Sequence, residues 1–335
     1  MTAPPWLSLH AFHSGDHDRL LTETVAPLVT SLQADGRLAQ FFFIRYWEGG
    51  PHLRLRLLPT RPDLAAEVAD RARSALEGHL ARFPTPLSGS VEQWSALAER
   101  YAHIEDRADH DRRIRPPDVV EALPYHPEYA VFGGPTATRA VERHFTDSSR
   151  VALSALARPV SPNHRSRLAV VALASALAAW QPDRHRLAHL LARSRSGWPP
   201  PDDRGRRRSS YQRQRAPLRR LVSGCWPPDR GSPPSGDPEP LAAAWSESIH
   251  RLHGELSELH RAGEFHPDLR AVAARFAADT GPTRDEQRLL AVLLRCVHLL
   301  CNRLGIGVDQ ETQLHYLVHA TCVDIGDPAR EQEDA

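Results

Sequence analysis

The residues best suited to chemistry lie in two places far apart in the sequence. One is His52-Leu-Arg-Leu-Arg-Leu-Leu58, where polar and apolar residues alternate. A period of two puts His52, Arg54 and Arg56 on one face of a strand and Leu53, Leu55 and Leu57 on the other. Two forked guanidiniums on a rigid strand, with His52 beside them, can receive a carboxylate or a phosphate. The same pattern also suits an ordinary solvated strand face, and the local sequence leaves both readings open. The other place is His298, in the otherwise apolar stretch Leu290 to Gly305. Such a histidine is either a satisfied core residue or a proton-transfer group. Asn302 lies one helical turn on, sharing its face and within reach of a hydrogen bond.

These side chains need elements to hold them. Phe41 to Trp47 is aromatic and β-branched and reads as a strand, which brings Arg45 and Tyr46 next to the alternating run. Glu48-Gly-Gly-Pro51 supplies the turn between them, because glycine takes positive φ without steric cost. Trp6 to His13 reads as an earlier strand. Ser14 and Asp16 are N-cap residues for a helix over His17 to Ala34, closed by Asp35-Gly36. Pro62-Asp63 opens an amphipathic helix that runs to about Arg82. The order β-α-β-β-α predicts a split βαβ unit.

Further helices are expected over Val91 to Ile104, Pro135 to Ala157, Leu168 to Ala179 and Arg184 to Arg195. Glu105 to Arg115 is charged and His-bearing and reads as a solvated loop. Tyr125-His-Pro-Glu-Tyr-Ala-Val-Phe-Gly-Gly134 is irregular, the kind of loop on which functional residues collect. Ser196 to Pro240 is rich in Pro, Gly and Arg, has few apolar residues and no period, and reads as a flexible insertion. Its Arg204-Gly-Arg-Arg-Arg208 cluster is either solvated or a contact for an acidic peptide or nucleic acid. Helical spacing returns over Leu241 to His260, Pro267 to Ala278, Arg284 to Asn302 and Gln310 to Val323. The fold class expected is α+β: an N-terminal split βαβ-like sheet with helices, followed by an all-helical C-terminal part. In this reading residues 1–195 form the α+β part, 196–240 the insertion, 241–325 a helical part completing the same domain, and 326–335 a disordered tail.

The 335 residues carry a formal net charge of +1, so overall charge gives no argument for nucleic acid or an anionic membrane. All 42 basic residues are arginine, which together with abundant Ala and Pro reads as a coding bias. Cys225, Cys296, Cys301 and Cys322 form no CxxC pair and no zinc spacing, so a reduced cytoplasmic setting is expected. No secretion signal and no long apolar run is present, which predicts a soluble protein with no membrane partner. His250 and His253 are spaced i,i+3, with His260 further on; polar-face histidines are the expectation there, and no metal is assigned. A P-loop, GxGxxG, GxSxG and HExxH are all absent, and no cofactor is expected.

Three short motifs do occur in order: Arg45-Tyr46…Gly50-Pro-His-Leu-Arg-Leu-Arg56, Tyr125-x-Pro-Glu128…Gly133-Gly134, and His298-x3-Asn302-Arg-Leu304. Together they resemble the C-terminal domain of lantibiotic dehydratases, also called the thiopeptide-type bacteriocin biosynthesis domain, over roughly residues 5 to 325. That family matures ribosomal peptides. The resemblance implies a standalone, cofactor-free enzyme whose partner is a leader-bearing precursor peptide. By position, Arg54 and Arg56 match arginines that hold a glutamyl carboxylate, Glu128 an acidic residue of the PE…GG segment, and His298 a general acid/base. Tyr46 is added to the catalytic set, and Arg45, His52, Tyr125 and Asn302 to the substrate-binding set. Glutamate-eliminating members read Glu-x-x-Arg-Tyr/Phe-Gly-Gly, whereas this chain has Val131 at the arginine position. The resemblance therefore points first to a pyridine synthase, which joins two dehydroalanines in an aza-[4+2] cyclisation and expels the leader. Glutamate elimination alongside a separate glutamylating dehydratase subunit, and a silent leader-binding subunit, are the rivals.

Overall fold

A computed structural model of the chain describes residues 6–85, 90–104, 111, 113–158, 162–193, 204–226, 239–269 and 282–326. It divides into two compact units. The first comprises Met1–His126 with Ala152–Pro159, and the second Pro127–Val151 with Val160–Ala335.

The first unit is built on a four-stranded antiparallel sheet in the order β2-β3-β1-β4, from β1 (Leu7–Phe12), β2 (Leu38–Tyr46), β3 (His52–Pro59) and β4 (Val119–Ala122). Between β1 and β2 run α1 (His17–Leu20), a π-helical turn (Leu21–Val25) and α2 (Ala26–Ala34). β1 and β2 are both antiparallel to β3, so β3 is inserted between two strands joined through helices. This is the split βαβ unit expected. Asp16 caps α1, its carboxylate accepting from the Asp18 N–H at 2.8 Å. Gly36, at φ +68, ends the helical run, where a left-handed residue is needed.

Period two sorts the sheet into unlike faces. Leu9, Ala11, Phe41, Phe43, Leu53, Leu55 and Leu57 share the apolar face and are at most 2% exposed. There they meet α3 (Ala65–Arg82), whose Val68, Ala72 and Leu76 repeat every four residues and are fully buried. At about 25 cal/mol per Å2 of apolar surface, each such leucine contributes about 2 kcal/mol. β4 was not foreseen: its four residues follow Pro116-Pro117 and carry no alternation, and register with β1 from Leu9↔Ala122 to Phe12↔Val119 defines the strand. α4 (Val91–Ile104) completes the unit.

The second unit is helical in its described residues. It contains α5 (Tyr129–Phe132), α6 (Pro135–Leu156, which passes into the first unit at its end), α7 (Pro162–Trp180) and α8 (Arg184–Ala192). It continues with α9 (Arg204–Ser223), α10 (Pro240–Arg261), α11 (Arg284–Arg303) and α12 (Val308–Ile325). α7 is Ala-rich and apolar, and it packs against α10, α11 and α12. Thr283 and Glu286 form a reciprocal capping box that starts α11. Residues 204–223 lie inside the stretch read as a flexible insertion, yet they form a helix. Tertiary anchors supply what the sequence period lacks: Tyr211, Leu218 and Val222 are buried, and α9 packs on α12. Pro267 to Leu269, the start of the next expected helix, are not helical, and its remainder to Ala278 and the tail 327–335 lie outside the described residues. All four cysteines are free.

Candidate functional site

Six of the nine residues selected from sequence sit in the first unit. The hairpin turn uses Gly49 at φ +79 and Gly50 at φ +108, conformations that a side chain disfavours. The turn fixes His52: its Nδ1 donates to the Gly50 carbonyl at 2.8 Å, which leaves Nε2 to accept from Arg54 Nε at 3.1 Å. Arg54 lies over the Tyr46 ring, 3.5 Å from its centroid, and its Nη2 donates to Glu48 at 3.0 Å. The Arg54 charge is thus already paired within the hairpin.

Arg56 differs. It is 5% exposed, its guanidinium faces the Tyr125 ring at 5.4 Å, and its Nε and Nη1 have no hydrogen-bond partner among the described residues. Burial, then the neighbouring Arg54 charge, lowers its pKa to about 9. Register sets Ser8 and His10 of β1 directly opposite Arg56 and Arg54. Both are buried, and Ser8 Oγ and His10 Nε2 also have no hydrogen-bond partner among the described residues. His10 stacks on His52 at 5.0 Å between ring centroids. Burial and then Arg56 hold His10 at a pKa of about 2, and burial and then Arg54 hold His52 at about 3, so both rings are neutral. This sheet face therefore combines one buried cation that has spare donors with neutral hydrogen-bonding groups. Ser8 and His10 were missed from sequence; their alternation in Leu-Ser-Leu-His-Ala-Phe gives the face, but only strand pairing gives the neighbour.

Arg45 does not belong to this face. It stands opposite Leu53, on the apolar side of the sheet, and is ion-paired with Asp18 of α1. One position of register along β2 separates it from Tyr46.

The remaining three residues are in the second unit. Glu128 is exposed and precedes the single-turn α5, on which Val131 is half-buried. Gly133 and Gly134 have φ of +90 and +116. A Cβ on Gly133 would fall 2.5 Å from Phe265 Cδ2. Backbone bonds from His266 N to Gly133 O (3.1 Å) and from Asp268 N to Ala130 O (2.8 Å) fasten this segment. Gly133 is therefore a packing requirement, and Gly134 is called for by its backbone conformation alone.

His298 is half-exposed on α11. Its Nδ1 lies 3.0 and 3.1 Å from the two carboxylate oxygens of Glu311, on the first turn of α12. A carboxylate at Nδ1 fixes the tautomer and leaves Nε2 for proton transfer. Glu311, which the sequence reading did not select, orients the ring through this contact. It was legible in principle, because the short Gly305-Ile-Gly307 link makes α11 and α12 neighbours across a turn. Arg303 is fully buried, with its guanidinium 4.9 Å from the Phe145 ring centroid, so the Asn-Arg-Leu run also serves the core.

Among the described residues no helix is long and apolar enough to cross a membrane. The fold is similar to three solved structures. The pyridine synthase TbtD from thiomuracin biosynthesis has a TM-score of 0.69 at 22% identity, covering 96% of this chain and 99% of that one. TsrL has a TM-score of 0.63 at 18% identity, covering 98% and 95%. The tRNA-dependent lantibiotic dehydratase MibB from Microbispora sp. 107891 has a TM-score of 0.57 at 19% identity, covering 96% of this chain and 28% of that one. No curated protein matches. Residues 6–322 match the family described as lantibiotic biosynthesis dehydratase C-term, and the chain belongs to that family.

Proposed function

We propose that this chain matures a ribosomally made, leader-bearing peptide by forming a pyridine ring from two dehydroalanines. The observation that carries this reading is the end-to-end correspondence with a pyridine synthase, 96% of one chain with 99% of the other. Two features of the site support it. Val131 stands where eliminating members carry an arginine, and Arg54 is already paired with Glu48, so neither position offers an unpaired cation to a leaving glutamate.

The chemistry asks for proton transfer and alignment. His298, held through Nδ1 by Glu311, takes the N–H proton of the amide next to one dehydroalanine and returns a proton to its oxygen. The resulting 2-azadiene joins the second alkene through two new carbon–carbon bonds. The hydroxyl leaves as water with a proton from the same acid, and the amide nitrogen bearing the leader leaves to complete the aromatic ring. In the first unit, Arg56, beside the Tyr125 ring, offers its unpartnered N–H groups to a carbonyl oxygen of the peptide. Alignment of the two alkenes is the larger effect, as effective molarities for well-oriented partners are worth about 7–11 kcal/mol.

Glutamate elimination is the second reading, supported by the Arg54 and Arg56 pair on one face. Mass spectrometry separates the two. Incubation with a leader-bearing peptide containing two dehydroalanines is expected to release the leader and yield a product lighter by the leader and water. A glutamylated peptide that instead loses glutamic acid, with the dehydrated peptide left unchanged, would overturn the proposal.

A further inference from the structure

The chain as a whole is charge-balanced, but α9 is not: it carries eight arginines and no acidic residue. Such crowding of like charge destabilises a helix, and one inner carboxylate offsets part of it. Asp324 of α12 is buried and accepts from Tyr211 Oη at 2.8 Å, Arg215 Nε at 2.8 Å and Nη2 at 3.0 Å, and Arg219 Nη1 at 3.1 Å. These bonds hold the Asp324 carboxyl well below the usual range. They also lock α9 by one face, with Tyr211, Leu218 and Val222 buried beneath it.

The opposite face presents Arg206, Arg213 and Arg220, all exposed. Their spacing is seven residues, two helical turns, so they form one stripe with neighbours about 10 Å apart. Pro217 lies on the same outer side and has no N–H to give to the carbonyl of Arg213, which leaves an acceptor within the stripe. A row of cations at this spacing suits a peptide in the extended polyproline II conformation: three residues per turn and a rise of about 3.1 Å per residue put carboxylates three residues apart on one side, about 9 Å apart, whereas a β-strand would send them to opposite faces.

We propose that the outer face of α9 is a docking surface for an acidic, extended segment of the peptide substrate, with carboxylates about three residues apart. The proposal rests on the reading that the substrate is a peptide, but it concerns binding and not turnover. Overall balanced charge favours a peptide over a polyanion as large as nucleic acid.

The test is fluorescence anisotropy with the full chain and two labelled peptides of equal composition, one with Glu at every third residue and one with the same Glu clustered. The spaced peptide is expected to bind more tightly, and its affinity should fall in high salt. The variant Arg206→Gln/Arg213→Gln/Arg220→Gln is expected to weaken it about tenfold, from the modest worth of each exposed pair, with a melting midpoint that does not fall, since like-charge repulsion along the helix is relieved. The corresponding triple Lys variant should keep most of the affinity. His298→Ala should bind normally, so a failure of the cyclisation reading and a failure of this one are distinguishable. Equal binding of both peptides, no loss in the Gln variant, or tighter binding of a single-stranded oligonucleotide would overturn the proposal.

Discussion

Arg56 is the residue for which stability and function should pull in opposite directions. Its guanidinium is 5% exposed and leaves Nε and Nη1 without partners among the described residues. A pKa held at about 9 rather than 12.5 places about 5 kcal/mol against the charged form. The Tyr125 ring face offsets about 0.5–2 kcal/mol of that. Arg56→Met keeps an unbranched stem and removes the charge, so folding stability is expected to rise by about 1–3 kcal/mol, as when buried charges are replaced by apolar isosteres. If the spare donors serve a substrate oxygen, kcat/KM should fall about tenfold to a hundredfold, the worth of a hydrogen bond to a charged group. Urea denaturation and mass-spectrometric turnover on the same preparation read both quantities. A variant that loses stability along with activity would refute the reasoning, since Arg56 would then be an ordinary structural residue.

Three further outcomes follow from the geometry. Gly133→Ala should destabilise by about 2–5 kcal/mol, combining left-handed strain of about 1–2 kcal/mol with overlap against Phe265 of about 1–3 kcal/mol; Gly36→Ala, with φ +68 and nothing within 4 Å, should show the strain alone, and equal losses in denaturant melts would contradict the packing argument. His298→Ala should lower kcat by about a hundredfold to ten-thousandfold, and Glu311→Gln by less, with melting midpoints near that of the parent; single-turnover rates check this. Burial holds His10, His17, His52 and His144 at pKa values of about 2, 4, 3 and 3, below 6.5. The folded chain therefore resists protons that the unfolded chain takes up: stability is unaffected by these groups above pH 6.5 and is lost as pH falls below it, by about 1.4 kcal/mol per pH unit for each. Urea melts between about pH 4 and pH 6.5 should show this slope, and a His→Asn change at any of the four should reduce it by about one proton.

The sheet was legible because period two is set locally: alternation in His52 to Leu58 assigns each side chain to a face before any partner is known. The Gly49-Gly50 turn and the Asp16 cap were likewise written in residue type. What was not legible depended on register and on tertiary contact. Arg45 looks like a neighbour of Arg54 in sequence, yet strand pairing sends it to the apolar face and to Asp18. Ser8 and His10 come to lie opposite Arg56 and Arg54 only through a strand pairing that spans more than forty residues. β4 has too few residues to show a pattern. α9 reads as disorder because its anchors, Tyr211 and Arg215, find their partner Asp324 on another helix. Glu311 sits thirteen residues after His298, and only the turn between α11 and α12 makes them adjacent.

The central claim, pyridine formation with His298 as proton carrier, is tested most directly by one mass-spectrometric measurement. A leader-bearing peptide with two dehydroalanines is incubated with the parent chain and with His298→Ala. The parent is expected to convert it to a product lighter by water and the leader, with the free leader appearing in equal amount, and the variant to leave it intact. Conversion at the same rate by both, or no conversion alongside loss of glutamic acid from a glutamylated peptide, would contradict the account.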